Sequence, residues 1–497
     1  MHALTLSIAH ARSTVSRIQL ALATLIVILL TLPAPLRAQI RALSAKDSTL
    51  VGRILLAEDR RDSSSTALTQ GAAHKDARVR VIALRALGRI RDPRFAARDS
   101  LPLPPLPPPT VWPEPAWRLR YRALADQKND CGALRSALAD SAWAVRLRAV
   151  DLATATCAAD DGLVSALRVW IDALPANAAR RAKGDVSWHA AAHSAVALAR
   201  LRPDEARSRI ARLAAHQQWQ VRMYAARAAA VLLDTATLRV LARDVDDNVK
   251  EAAIDSLSKL TKHADDDLYL KALGAKGAQA VRAAAIALKG STRADVPRAA
   301  NAAFERWVAR RVASERDARI ALLEAAGRPA SDDRPPSARI ALSPRAVALA
   351  LGADARLRVT MAPSSGGGSF VIRLRGDVAP IMAARVLALA RSGYFNGGNW
   401  HRVEPDFVIQ GAGPGTNEYV GYAQFFRDEL GTVPHARGTL GMSTRSHDTG
   451  DAQWFVNLKD NPRLGRDYTV FAEVIDGIDV VDGILEGDVV SRVTVLR

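Results

Sequence analysis

The sequence predicts a multidomain molecule: an all-α solenoid of short repeats, followed by a small closed β-barrel with flanking helices. Three observations carry that prediction. A helical pattern recurs through the middle of the chain with a period of about thirty residues. A stretch rich in Pro, Asp and Ser runs from Gly327 to Pro344. After Arg356 the hydrophobic pattern changes from helical spacing to alternation. The length of 497 residues exceeds a single core, and 49% hydrophobic with 24% charged residues is a globular composition.

The first 38 residues read as an export signal rather than as part of a fold. Arg12 and Arg17 precede the apolar run Leu20 to Leu32, which meets Pro33 and then Pro35-Leu36-Arg37-Ala38. The run is shorter than the ~20 residues a spanning helix needs. Cleavage is expected near Ala38, delivering the chain to the periplasm or the extracellular side; left uncleaved, the segment would anchor it to the membrane. That anchor is the only membrane contact expected.

Residues 47–326 carry the repeats. Ala77-Arg78-Val79-Arg80-Val81-Ile82-Ala83-Leu84, Ala144-Val145-Arg146-Leu147-Arg148-Ala149-Val150, Gln220-Val221-Arg222-Met223-Tyr224-Ala225-Ala226, Asn248-Val249-Lys250-Glu251-Ala252-Ala253 and Ala280-Val281-Arg282-Ala283-Ala284-Ala285 share one pattern. Each has a small or polar residue, Val, a basic residue, then Ala and larger apolar residues at helical spacing, often with Asp or Asn just before as an N-cap. The last three of these valines stand 28 and 32 positions apart. One such unit cannot bury its apolar face alone, so neighbours must stack. In detail the units resemble short HEAT repeats, and such a surface is expected to bind a protein partner or a client. Leu101 to Pro115 holds eight prolines in fifteen positions, which forbids helix, and reads as a long loop between repeats.

Charge is divided unevenly. Residues 39–355 carry a net +16, while the stretch from Arg356 onward is net −1. Arg outnumbers Lys and is spread over many helices, which describes either a solvated helical surface or one that attracts acidic polypeptides or anionic head groups. Nucleic acid is not an expected partner of an exported chain. The two cysteines, Cys131 and Cys157, either pair in an oxidising compartment or remain as buried thiols.

A linker, 327–355, leads to the second part, 356–497. Arg356 to Met361 and Ser369 to Leu374 alternate around Ser364-Ser365-Gly366-Gly367-Gly368, a β-hairpin. A helix follows from Pro380 to Ser392, with Pro in its first turn. Short strands and Gly-rich loops make up the remainder.

Three clusters in this part carry chemistry: Trp400-His401-Arg402-Val403-Glu404-Pro405-Asp406-Phe407-Val408-Ile409-Gln410-Gly411; then Gly438 to Ser443 with Gln453-Trp454-Phe455-Val456; then Leu464 to Phe471. In order and spacing they resemble the signature of the cyclophilin-type peptidyl-prolyl isomerases. The resemblance implies rotation about X–Pro bonds of proline-containing polypeptides, with no cofactor and no metal. That rotation crosses ~18–20 kcal/mol because amide resonance is lost. No bond breaks, so the site needs only to favour a twisted amide whose nitrogen has gained a lone pair. Arg402, always charged and carrying five donors, suits that task. The same resemblance makes Phe407, Met442, Phe455 and Leu464 the socket for the proline ring. Gln410 would hold a carbonyl or orient Arg402, and Ser443 and Gln453 would contact the peptide. Tyr468 falls where many members place His. Arg402, Phe407 and Gln410 are therefore the expected catalytic set.

Several positions depart from the family. Arg463 replaces a rim Trp, Ser443-Thr444 replaces Ala-Asn, and Ala412-Gly413 replaces Gly-Asp. They bear on substrate affinity more than on the reaction. The alternative reading is a non-catalytic scaffold binding Pro-containing segments through both parts, with Arg402 merely paired to an acid such as Glu404. His401 is expected to pack and hydrogen-bond behind the site, and His435 has no assigned chemistry. His189 and His193 stand four apart on one helix but lack the Glu of a zinc motif. Gly411 to Gly415 lacks the Lys of a phosphate loop and reads as a turn.

Overall fold

The computed structural model describes residues 43–91, 112–174, 188–333, 343–431 and 433–496, the Arg466 side chain aside. The expected signal 1–38, most of the Pro-rich loop 101–115 and the centre of the 327–355 linker lie outside the described residues. The chain divides into Met1–Leu50, described only from residue 43, and Val51–Arg497, one compact unit.

Each repeat motif forms a helix: Ala77–Ile90, Trp143–Leu152, Trp219–Val231, Asp247–Thr261 and Ala278–Leu288. Asp76 and Asp246 cap two of them, accepting from the amides of Arg78 and Asn248. The recurring basic residue has a shared structural use. Arg80 donates to the carbonyls of His74 and Lys75 at 2.7 and 2.8 Å. Arg222 donates to those of His216 and Gln217 at 2.8 and 2.9 Å, and Arg146 to that of Asp140. These acceptors lie just past the end of the preceding helix, where carbonyls lack intrahelical partners.

Pro203–Ala214, Thr235–Leu241, Asp266–Ala272 and Val296–Ala309 each pack against the helix that follows. Those second helices, with Arg316–Ala325 the last, stack in a row that begins with Trp188–Leu201. Ala225, Ala226, Ala253, Ala284 and Ala285 are fully buried in it, and their small side chains let the backbones approach. This is a stacked helical array of solenoid type, and nothing in its packing singles out the HEAT kind. Cys131 and Cys157 are disulfide-bonded, their Cα atoms 5.5 Å apart across 26 positions. Closing a loop of that size stabilises by about 3 kcal/mol in the chain-entropy account.

The C-terminal part is an antiparallel sheet of eight strands in the order β3-β4-β6-β5-β7-β2-β1-β8. The strands are β1 Arg356–Met361, β2 Ser369–Leu374, β3 Arg402–Val403, β4 Val408–Gly411, β5 Thr439–Met442, β6 Trp454–Asn457, β7 Val470–Asp476 and β8 Val490–Leu496. The expected hairpin is β1–β2, and the expected helix runs Pro380–Arg391 and packs on β7 and β8. Phe370, Phe395, Trp400, Trp454 and Phe471 are fully buried.

The closed barrel expected from the sequence is not what forms. The sheet is an open, strongly curled half-barrel whose edges stand 14 Å apart. The edge strands cannot complete a ladder because β3 is only two residues long. The segments just before β3 and β8 meet, among the described residues, in one bridge, Asn399 with Val489, supported by the amides of Trp400 and Val490, which donate to Asp488 and Gly398 at 2.9 and 2.7 Å.

Arginines of the helical part reach carbonyls of the sheet's loops. Arg118, fully buried, donates to Pro405 and Leu458 at 2.8 and 2.7 Å and pairs with Asp482 at 3.0 Å. Arg89 donates to Leu430 and Val378 at 2.7 and 2.8 Å. His189 and His193 serve this contact: His189 meets the Glu486 carbonyl at 2.6 Å, and His193 sits between Asp151 and Tyr224. Tyr224 donates to the Glu486 carboxylate at 2.8 Å. Part of the helical row is thus covered by the chain's own C-terminal part.

Candidate active site

Two short strands and the turn between them create the site. Arg402 on β3 lies opposite Gln410 on β4, and the turn Glu404–Phe407 closes with the Phe407 amide donating to the Glu404 carbonyl at 2.8 Å. This register brings a guanidinium, an aromatic ring and a carboxamide to one cleft. Arg402 Nη1 donates to Gln410 Oε1 at 3.3 Å, and Gln410 Nε2 donates to Ser443 Oγ at 2.9 Å. Gln410 is nearly buried, so its amide is held from both ends while Arg402 remains 43% exposed. Its contact with Glu404 is long, 3.7 Å, between two half-exposed groups. Such a pair contributes at most about 1 kcal/mol and leaves the guanidinium available.

Beside Arg402 lies an apolar socket. Val408, Phe455 and Leu464 are buried together, with Phe407 and Tyr468 packed against them. Phe455 stacks on His435 at 5.6 Å and meets Tyr468 edge-on at 5.4 Å. The socket opens into a cavity of about 120 Å³ lined by Arg402, Phe407, Gln410, Ser443, Phe455, Leu464 and Tyr468, together with Val408, Glu418, Thr444 and Arg445. An apolar cavity of roughly 150 Å³ accommodates benzene, so the space suits a five-membered ring.

Two expected residues lie outside the cavity. Met442 is fully buried, packed beneath Gly450. Gln453 is 1% exposed, and its Nε2 donates to the carbonyls of Asn417 and Val420 at 3.2 and 2.8 Å. It holds the loop over the groove from below. Three lining residues, Val408, Glu418 and Arg445, escape the sequence reading. Val408 alone carried a usable signal, since alternation places it on the Gln410 face of β4.

The histidines are structural. Burial, with the charge of Arg402 second, lowers His401 to about 4. Burial does the same to His435, also to about 4. His435 Nε2 donates to the Tyr468 carbonyl at 3.1 Å, while Nδ1 accepts from Asn457 at 3.1 Å, which fixes the neutral tautomer beneath Phe455. Neither ring is a base of useful strength at pH 7. The family departures have physical consequences. Arg463 lies over the Phe407 ring at 4.6 Å, covering the rim in place of an aromatic. Ala412 takes φ 64°, a left-handed conformation that costs an L residue about 1 kcal/mol.

A positioned cation beside an apolar ring socket is an arrangement suited to easing rotation about an amide bond. A family profile described as "Cyclophilin type peptidyl-prolyl cis-trans isomerase/CLD" matches residues 358–496. The peptidyl-prolyl cis-trans isomerase of Helicobacter pylori is 33% identical over 130 residues, 25% of this chain and 80% of that protein. Peptidyl-prolyl cis-trans isomerase B of Escherichia coli is 37% identical over 128 residues, 24% of this chain and 78% of that protein. A crystal structure of a Cryptosporidium parvum cyclophilin-type isomerase aligns at 21% identity and TM-score 0.27, covering 29% of this chain and 99% of that one. Through its C-terminal part, the chain belongs to the cyclophilin-type peptidyl-prolyl cis-trans isomerases, and it is an enzyme of that type.

Proposed function

We propose that the protein turns X–Pro bonds of exported polypeptides, with Arg402 as the group that lowers the barrier. In this reading the proline ring enters the socket of Phe407, Val408, Phe455 and Leu464. Arg402 then points a donor at the prolyl nitrogen as the amide twists. That nitrogen accepts a hydrogen bond only once resonance is broken, so the interaction strengthens toward the transition state. Gln410, held by Ser443, keeps the guanidinium in place. Phe407 and Arg463 shed water from the rim.

The observation that carries the reading is the placement of Arg402 at the mouth of the apolar socket with its only carboxylate contact, among the described residues, at 3.7 Å. Export is supported by the charged and apolar pattern of residues 1–38 and by the Cys131–Cys157 bond, which suits an oxidising compartment. The helical part is proposed to present the enzyme to a protein partner or client with surface not covered by the sheet. A proline-isomerisation assay on a short peptide tests the enzymatic role. The full chain accelerates the reaction and Arg402→Ala does so far less; equal rates would instead describe a scaffold that binds without turnover.

A further inference from the structure

One wall of the groove is built from loops with little structure of their own. Glu418, Thr444 and Arg445 line the cavity but lie outside every strand. Residues 413–421 include Gly413, Gly415 and Gly421, whose backbones are the least restrained of any residue. Within the C-terminal part this loop is tied by Gln453 and by Arg445, whose Nη1 donates to the Glu418 carbonyl.

The remaining ties come from the helical array. Arg445 Nη2 donates to the Ser314 carbonyl at 2.8 Å, and its Nε pairs with the Asp317 carboxylate. The same guanidinium meets Asp451 at 3.1 Å. One side chain that faces the groove is therefore anchored by the last helix of the row, Arg316–Ala325. Ala313 donates its amide to the Ala423 carbonyl at 2.8 Å, so the turn before that helix also grips the loop's end. Two further helices act on the loop's middle. Asn248 accepts from Asn417 Nδ2 at 2.9 Å and donates to Thr416 Oγ1; Gln279 holds it in turn at 3.1 Å. Arg282 lies over the Tyr419 ring at 4.2 Å.

We infer that the helical array is a working part of the isomerase: Asp317, acting through Arg445, and Asn248, acting through Thr416 and Asn417, are positioning residues that fix the groove wall. The inference rests on the reading of the groove given above. A fixed wall avoids ordering a loop each time a peptide binds, and that saving appears in affinity. Arg402 and the socket stay where they are, so the chemical step is unaffected. Loosening the wall removes binding common to ground and transition states, which raises KM at constant kcat.

The test uses the full chain and a proline peptide of several residues. Asp317→Ala is expected to raise KM at least about tenfold, the size of one charge-assisted hydrogen bond, with kcat within about twofold. Asp317→Glu restores most of the loss. In an Arg445→Ala background the Asp317 change adds nothing further. Asn248→Ala, on a separate helix, raises KM in the same direction and keeps the inference testable should Asp317→Ala not fold. Peptide affinity titrated in the Arg402→Ala background reads the wall without turnover, so failure of the catalytic reading and failure of this one are distinct. Unchanged KM and affinity in folded Asp317 and Asn248 variants would overturn the inference, as would an Asp317 effect undiminished by Arg445→Ala.

Discussion

At the scale of single residues the site works by holding charge in one place and excluding it from another. Arg402 is the cation at the cleft; His401, its neighbour in sequence, stays neutral because burial and that cation lower it to about 4. An unfolded imidazole titrates near 6.5. Below that value the unfolded chain binds a proton that the folded chain refuses, so stability is fully present above about 6.5 and is lost as pH falls toward 4. Neither ring nitrogen of His401 has a hydrogen-bond partner among the described residues. His401→Phe should therefore leave the urea midpoint at pH 7 nearly unchanged and recover about 1–2 kcal/mol at pH 5. An equal acid loss in both proteins would show that His401 is not held neutral. Sequence spacing made Arg402, Phe407 and Gln410 legible, because a strand–turn–strand of fixed length brings them together. It could not tell which Gln faces the peptide. Gln410 and Gln453 both lie in or beside buried strands, and only the β4–β6 register turns one toward the groove and the other beneath the loop.

Among the elements, β5 and β6 set the depth of the socket. Gly441 on β5 lies opposite Phe455 on β6, and the Phe455 ring crosses directly over the glycine, where a Cβ would fall well inside van der Waals contact. Gly441→Ala is predicted to push the ring out of position and cut kcat/KM at least about tenfold, since an overpacked site costs roughly 1–3 kcal/mol. Activity within twofold of wild type would mean that Phe455 does not form the socket floor. The strands and the helix after Pro380 were readable from alternation and from Pro at a helix start. Closure of the sheet was not, because it depends on how many residues β3 and β8 share. With β3 limited to Arg402–Val403, the edges remain 14 Å apart. The short edge is also what leaves Arg402 exposed at the cleft instead of buried in a ladder.

The whole molecule joins its parts through arginine. In the sequence the surplus of basic residues over 39–355 reads as a solvated or anion-attracting surface, and nothing local distinguishes Arg118 from its neighbours. In the fold Arg118 is fully buried against the Pro405 carbonyl, beside the turn that carries Phe407. Long-range pairing of that kind has no periodicity to betray it. Arg118→Ala removes a desolvated cation and leaves Asp482 with only Arg437 at 2.6 Å among its described ion pairs. It is predicted to destabilise the chain by about 3 kcal/mol and to split a single calorimetric transition into two. A variant melting as one unit at the wild-type temperature would show that the buried contact does not couple the parts. The same contact explains why a family relationship covering only residues 358–496 understates what shapes the groove.

The most direct test compares rate with affinity at Arg402. Exchange spectroscopy on a proline peptide, cis and trans forms followed separately, gives turnover and binding in one sample. Replacing Arg402 by Ala should slow interconversion on the enzyme by about 10²–10³, the usual loss when one aligned donor is removed, while peptide affinity changes by less than about tenfold. Arg402→Lys should recover only a small part, since a point charge does not reproduce the fork. Interconversion at the wild-type rate in Arg402→Ala would contradict the account, because the Arg402 guanidinium would then not be needed to turn the bond.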